Sequence, residues 1–126
     1  MAKAYVLGLD FGTNSARALI VDPRTGAEVA TAVAAYPSGE AGIILDRKDP
    51  NVARQNPADW LTAAAKCTRA ALRAAAKVKG FSPRQIIGIG IDATASTPLP
   101  VDAQGVPLAQ HKKFARDLNA LAWLWK

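Results

Sequence analysis

Asp10, Gly12, Thr13, Asn14, Ser15 and Arg17 fall within eight consecutive residues between two apolar runs, Tyr5-Val-Leu-Gly-Leu9 and Ala18-Leu-Ile-Val21. A carboxylate at a strand end can hold the hydrated shell of a divalent ion. Successive backbone N–H groups in a tight bend, aided by Thr13 and Ser15 hydroxyls, form a concave cradle for phosphate oxygens. Arg17 adds a cationic fork to the same place. Gly12 at the bend is expected to take a positive φ and admit close approach of a bound group. The segment therefore reads as a strand–turn–strand phosphate loop, and the same residues also suit an ordinary hairpin turn. Two other phosphate loops are absent: no Gly-x-Gly-x-x-Gly opens a helix, and no Gly-Lys-Ser/Thr follows a strand.

These residues need a scaffold, and the rest of the chain supplies one. Tyr5 to Leu9 reads as a strand buried on both faces, Ala18 to Val21 as a second, and Glu28 to Tyr36 as a third, antiparallel one. A long loop from Pro37 to Gln55 follows, with a short strand at Ile43-Ile44-Leu45. Asn56 is a helix N-cap, Pro57 suits the first helical position, Asp59 favours the positive end of the helix, and Gly80 is the stop. The helix between them places Trp60, Leu61, Ala64, Cys67, Thr68, Ala71, Leu72, Ala75 and Val78 on one face and Lys66, Arg69, Arg73 and Lys77 on the other. Ile86-Ile-Gly-Ile-Gly-Ile91 is then a second buried strand, parallel to the first after a helical crossover. Both would deliver carboxylates, Asp10 and Asp92, to one sheet edge, where ligands of open α/β folds collect. A hairpin around Asp102-Ala-Gln-Gly105 comes next.

The chain of 126 residues is half apolar and 21% charged, with a formal charge of +6, which is a single domain's worth of globular sequence. The basic residues are spread over a helix face and form no dense run, so nucleic acid is not an expected partner. Cys67 is the only cysteine and His111 the only histidine, leaving no disulfide framework and no Cys- or His-rich metal site. Cys67 is expected to be a packed thiol and His111 an exposed loop residue. No apolar stretch reaches the ~18 residues of a membrane span, and Asp10 interrupts any signal-peptide pattern. The expectation is a soluble, cytoplasmic protein. Trp123 and Trp125, close together near the last residue, ask for a partner surface; a longer polypeptide would provide one.

A β-β-β-α-β order with Asp at its first turn resembles the half-fold of the actin, hexokinase and ribonuclease-H group. Within it, Asp10-Phe-Gly12-Thr13-Asn14-Ser15-Ala16-Arg17 is similar to the N-terminal phosphate loop of the FGGY carbohydrate kinases, Asp-x-Gly-Thr-x-x-x-Arg. The segment Gly-Ile-Asp92-Ala-Thr94-Ala95-Ser96-Thr97-Pro98 through Gly105, and the ending Leu124-Trp125-Lys126, resemble the bacterial L-ribulokinases of that family. The resemblance implies an α/β fold of the ribonuclease-H-like, actin-like ATPase type with a further β-hairpin, residues 1–126 being an incomplete N-terminal portion of the first kinase domain. It implies ATP and Mg²⁺ as cofactors and a ketopentose, L-ribulose, as acceptor. By position, Asp10, Gly12, Thr13, Asn14 and Arg17 would hold the cofactor, with Asp10 as the metal-side residue, and Thr94, Ala95 and Ser96 would line the sugar pocket. Where glycerol kinases of the family place Arg-Glu, this chain has Ala95-Ser96, which fits a larger acceptor.

The family's catalytic aspartate lies in a later Gly-Asp motif that this sequence lacks, so residues 1–126 alone are expected to be inactive. Asp92 has no role assigned by the resemblance. Homo-oligomerisation is expected, since the sheet edge lacks a neighbour. Two alternatives stand beside the kinase: a Holliday-junction-resolvase-like nuclease of the ribonuclease-H fold, which shares the Gly-Leu-Asp-x-Gly-Thr start, and a non-catalytic nucleotide-binding module.

Overall fold

The computed structural model describes residues 3–124, so Trp125 and Lys126 lie outside the described residues. Three strands open the chain: β1 (Tyr5–Phe11), β2 (Ser15–Val21) and β3 (Glu28–Ala35). Two short strands, β4 (Ile44–Leu45) and β5 (Ala53–Gln55), lead into helix α1 (Pro57–Ala75). Strand β6 (Ile86–Ala93) follows, and β7 (Ala122–Trp123) comes last. The main sheet runs β3-β2-β1-β6, antiparallel except for the parallel β1–β6 pair; β4-β5-β7 form a second, antiparallel sheet. The β-β-β-α-β order expected from the sequence is therefore present. The expected hairpin is reduced to a single bridge, Val101 to Pro107, around the 102–105 turn.

Helix α1 lies over β1, β2 and β3 on one face. Its sheet-facing line is Ala63, Cys67, Ala71 and Ala75, four residues apart, against Leu7, Ala16, Ala18, Ile20 and Ala34. Residues at that spacing lie one above another along a helix, and their small size lets the backbone settle close to the sheet. Asn56 caps the start as expected, accepting from the Ala58 N–H at 3.1 Å. At the other end the turns tighten to i→i−3 bonds at Lys77 and Val78, so regular helix ends well before Gly80, whose φ is +86°.

Two expectations about burial are corrected. Leu61 is 69% exposed and Val78 is also exposed, because the helix rests on its alanine line rather than on the centre of the broad apolar stripe. Among the described residues strand β6 is an edge of the sheet, not a buried strand: Ile87, Ile89 and Ile91 are 71%, 63% and 70% exposed. The side chains of Ile89 and Ile91 share the face that α1 covers, as the register Leu7–Ile89 and Leu9–Ile91 requires, but α1 does not extend over them. Cys67 is packed as expected: it is fully buried, and burial pushes its thiol up from the ordinary range. His111 is not a free loop residue, since its Nε2 lies 2.8 Å from Asp102 Oδ2.

The segment after β6 folds back. Arg54, buried on β5, donates from Nε to the Leu118 carbonyl and from Nη2 to Asn119 Oδ1, and its guanidinium lies 4.4 Å from the centre of the Trp123 ring. Trp123 thus has one partner within the chain, the Arg54 guanidinium, while 43% of its surface stays exposed. No helix among the described residues is long and apolar enough to cross a membrane.

Candidate phosphate and acceptor site

The bend between β1 and β2 is a two-residue turn closed by the Gly12 N–H donating to the Ser15 carbonyl at 3.0 Å. Gly12 is not among the residues with positive φ, which corrects the expected reason for a glycine there. Its lack of a side chain matters for space instead: a Cβ would lie 3.4 Å from the Ser15 carbonyl oxygen and 3.9 Å from Arg17 Nη2. The tip is braced from three sides. Gln55 Nε2 donates to the Thr13 carbonyl at 2.7 Å, the Tyr36 N–H to the Asn14 carbonyl at 3.0 Å, and Asn14 Nδ2 to the Ala41 carbonyl at 2.6 Å. In a planar trans peptide the N–H points opposite to the C=O. With the Thr13 carbonyl turned towards Gln55, the Asn14 N–H points away from it. Among the described residues neither the Thr13 nor the Asn14 N–H donates a hydrogen bond, so both remain for an anion.

Strand register brings the charged residues together. Asp10 pairs with Arg17 across the antiparallel ladder and with Asp92 across the parallel one, so the three side chains share the sheet face opposite α1. Arg17 Nη1 sits 2.6 Å from Asp10 Oδ2, both partly exposed; such a solvated pair contributes little to stability. Gly8 and Gly90 leave this face low, and with Asp10, Arg17, Leu19 and Asp92 they line an open depression of about 490 Å³. No group of three or more metal-ligating side chains occurs among the described residues. A divalent ion here would therefore keep most of its water, as Mg²⁺ characteristically does.

A second cavity, of about 390 Å³, opens on the α1 side of the same strand ends, lined by Gly12, Gln55, Trp60, Ile91, Thr94 and Thr97 among others. The structure thus divides the expected residues. Asp10 and Arg17 line the first depression, Gly12 and Thr94 the second, and Thr13 and Asn14 form the turn tip and line neither. Thr94 anchors the end of β6, its N–H and Oγ1 both donating to the Phe11 carbonyl at 3.0 and 2.9 Å. Ala95 and Ser96 are exposed and line neither cavity; Ser96 holds φ +60°, a left-handed conformation that costs a non-glycine residue about 1–2 kcal/mol.

Sequence reasoning missed Gln55 and Thr97. The Thr97 hydroxyl is buried without a hydrogen-bond partner and belongs to the second cavity's wall, the type of group a polar ligand satisfies. The Tyr36 hydroxyl is likewise buried and unpartnered. Burial, with the Asp10 carboxylate next in size, pushes its pKa up to about 12.

The N-terminal domain of the FGGY family of carbohydrate kinases matches residues 5–120. The chain is 39% identical to a ribulokinase of Geobacillus thermodenitrificans, the match covering 100% of this chain and 22% of that protein. It is 38% identical to a ribulokinase of Vibrio parahaemolyticus, over 98% of this chain and 21% of that one. A crystal structure of a xyloylose kinase from Brucella ovis superimposes with a TM-score of 0.60 at 29% identity, over 80% of this chain and 18% of that chain. The chain spans about a fifth of the length of the curated relatives it matches.

Proposed function

The chain belongs to the FGGY family of carbohydrate kinases, and on that premise we propose that it is the N-terminal part of an ATP-dependent kinase whose acceptor is a ketopentose, L-ribulose. The observation that carries the proposal is the convergence at one sheet end. The Asp10-to-Arg17 turn presents unused N–H groups, Asp10, Arg17 and Asp92 stand in register beside it, and a mainly apolar cavity that includes Gln55, Thr94 and Thr97 adjoins it. The relatives' name, ribulokinase, supports ribulose as acceptor.

MgATP, when bound, supplies the phosphoryl group and the cation that neutralises its charge. The chain's own part is to hold and orient. The N–H groups of Thr13 and Asn14 receive phosphate oxygens, with Gly12 allowing the approach. Asp10 would hold the hydrated metal ion, and Arg17, paired with Asp10, would limit repulsion between its carboxylate and the phosphates. Asp92 lies on the same metal-facing side. Thr94 borders the acceptor cavity, in which Thr97 offers a hydroxyl; Ala95 and Ser96, which lie between them in the sequence, would meet the sugar only from the exposed loop outside that cavity. This sequence has no Gly-Asp motif of the kind expected to carry the proton acceptor for the sugar hydroxyl, so that group would belong to a further part of the kinase. A cytoplasmic location and a homo-oligomeric assembly complete the proposal. The family match leaves the nuclease alternative unfavoured.

The test is ADP release by the complete kinase with L-ribulose, D-xylulose and glycerol as acceptors. Turnover with a ketopentose that falls steeply for Asp10→Asn, with acceptor binding kept, supports the proposal. Near-normal turnover of Asp10→Asn, or phosphorylation of L-ribulose by residues 1–126 alone, contradicts it.

A further inference from the structure

We infer that Gln55 is a positioning residue that ties the phosphate turn to the acceptor cavity, so that the two halves of the reaction are set against each other through one side-chain amide. The inference rests on the kinase reading and adds to it a residue that no part of the Asp10–Arg17 turn contains. Gln55 is 2% exposed, a cost in desolvation unless its amide is used. Its Nε2 spends one donor on the Thr13 carbonyl at 2.7 Å, bridging 42 positions of sequence. That bond fixes the plane of the Thr13–Asn14 peptide and with it the direction of the Asn14 N–H. The same residue lines the cavity with Gly12, Trp60, Thr94 and Thr97. Its Oε1 accepts no hydrogen bond among the described residues, which leaves it to a donor hydroxyl in that cavity.

The strand bearing Gln55 is itself held rigidly. Neighbouring side chains of a strand point to opposite sides, and Arg54, next to Gln55, faces the 118–123 segment, where Leu118, Asn119 and Trp123 engage it. Strand β5 is also paired on both edges, with β4 and with β7. A bond from so fixed a strand sets the position of the turn rather than following it. Misplacement of a reacting group by about 1 Å can cost ~100-fold in rate, so the amide's effect belongs in kcat.

Gln55→Ala and Gln55→Glu in the complete kinase test this. Gln55→Ala is expected to lower kcat by about tenfold or more while the KM values for MgATP and ketopentose stay within about threefold. In Gln55→Glu the carboxylate cannot donate to Thr13, but the protonated acid can, and burial raises its pKa. Its kcat relative to that of Gln55→Ala should rise as pH falls, a recovery that a packing role would not produce. In isotope-labelled residues 1–126, without nucleotide, the Thr13 carbonyl carbon should shift in Gln55→Ala and return towards wild type in acidified Gln55→Glu. Wild-type kcat in Gln55→Ala, or no acid recovery in Gln55→Glu, overturns the inference; if Gln55→Ala fails to fold, the kcat of Gln55→Glu relative to wild type across the same pH range decides it. An inactive wild-type enzyme would instead overturn the kinase reading, and the Thr13 carbonyl shift would still judge the tether.

Discussion

Replacing Gly12 by alanine should separate folding from nucleotide binding, and the structure fixes both sides of that separation. Gly12 lies outside the positive-φ region, so an L-side chain meets no backbone penalty there. Its new Cβ would stand 3.4 Å from the Ser15 carbonyl oxygen and 3.9 Å from Arg17 Nη2, the first a tight contact and the second an ordinary one. The lost chain freedom of alanine in the unfolded state contributes about 0.4–1 kcal/mol in favour of folding, which offsets a shift of a few tenths of an ångström. The net change is expected within about 1 kcal/mol, or a few degrees in Tm for a domain of this size. Gly39 provides the contrast. There φ is +58° and a Cβ would fall 2.1 Å from the Ile43 carbonyl oxygen, so Gly39→Ala should be severely destabilising. For Gly12→Ala the methyl group occupies the surface on which phosphate oxygens rest, and MgATP affinity should fall about tenfold or more, equivalent to at least ~1.4 kcal/mol. Thermal denaturation of residues 1–126 measures the first quantity, and MgATP titration of the complete kinase the second. A Gly12→Ala protein that binds MgATP as wild type does would refute the placement of phosphate on this turn.

Tyr36 makes stability fall in alkali. Its folded pKa of about 12 exceeds the ordinary 10.0, so its contribution is whole below pH 10 and is lost as pH rises from 10 towards 12, by at most about 1.4 kcal/mol per pH unit. Tyr36→Phe removes that loss, and because the hydroxyl has no partner the variant should match or exceed wild-type stability at neutral pH; denaturant melts at pH 7 and 11 measure both. Arg54→Ala removes the bonds to Leu118 and Asn119 and the Trp123 contact. At about 1 kcal/mol per net interaction it should cost ~2–3 kcal/mol and raise amide exchange across residues 118–124 selectively; uniform exchange would contradict the docking. Ile20→Ala, at a fully buried site beneath α1, should cost about 2–5 kcal/mol, and a loss under ~1 kcal/mol would contradict the packing described.

Strands β1 and β2 were legible because an apolar run met a carboxylate and a glycine and then resumed. Helix α1 was legible from Asn56-Pro57 and its periodicity. The same periodicity overstated its buried face, since a stripe of 3.6-residue period does not say which of its residues meets the sheet. Ile87, Ile89 and Ile91 read as buried because composition reports what a strand can bury, not whether a neighbour covers it. Strands β5 and β7 were illegible: Ala53-Arg54-Gln55 carries no alternating apolar signal, and its charge is accommodated by carbonyl oxygens and a ring more than 60 residues away. For the site, Asp10 and Arg17 could be read together from local spacing. Gln55 could not, because its bond to Thr13 exists only once the second sheet has formed, and Thr97 looked like one of several loop hydroxyls.

The central claim is that the turn joining β1 and β2 receives the phosphates of ATP. Amide chemical shifts of labelled residues 1–126 during titration with MgATP test it directly. The account predicts that the largest changes fall on Gly12, Thr13 and Asn14 with Asp10 and Arg17 beside them, and that they diminish without Mg²⁺ and in Asp10→Asn. Changes centred elsewhere, for instance on the Lys66–Lys77 helix face, or none at millimolar nucleotide, would contradict it.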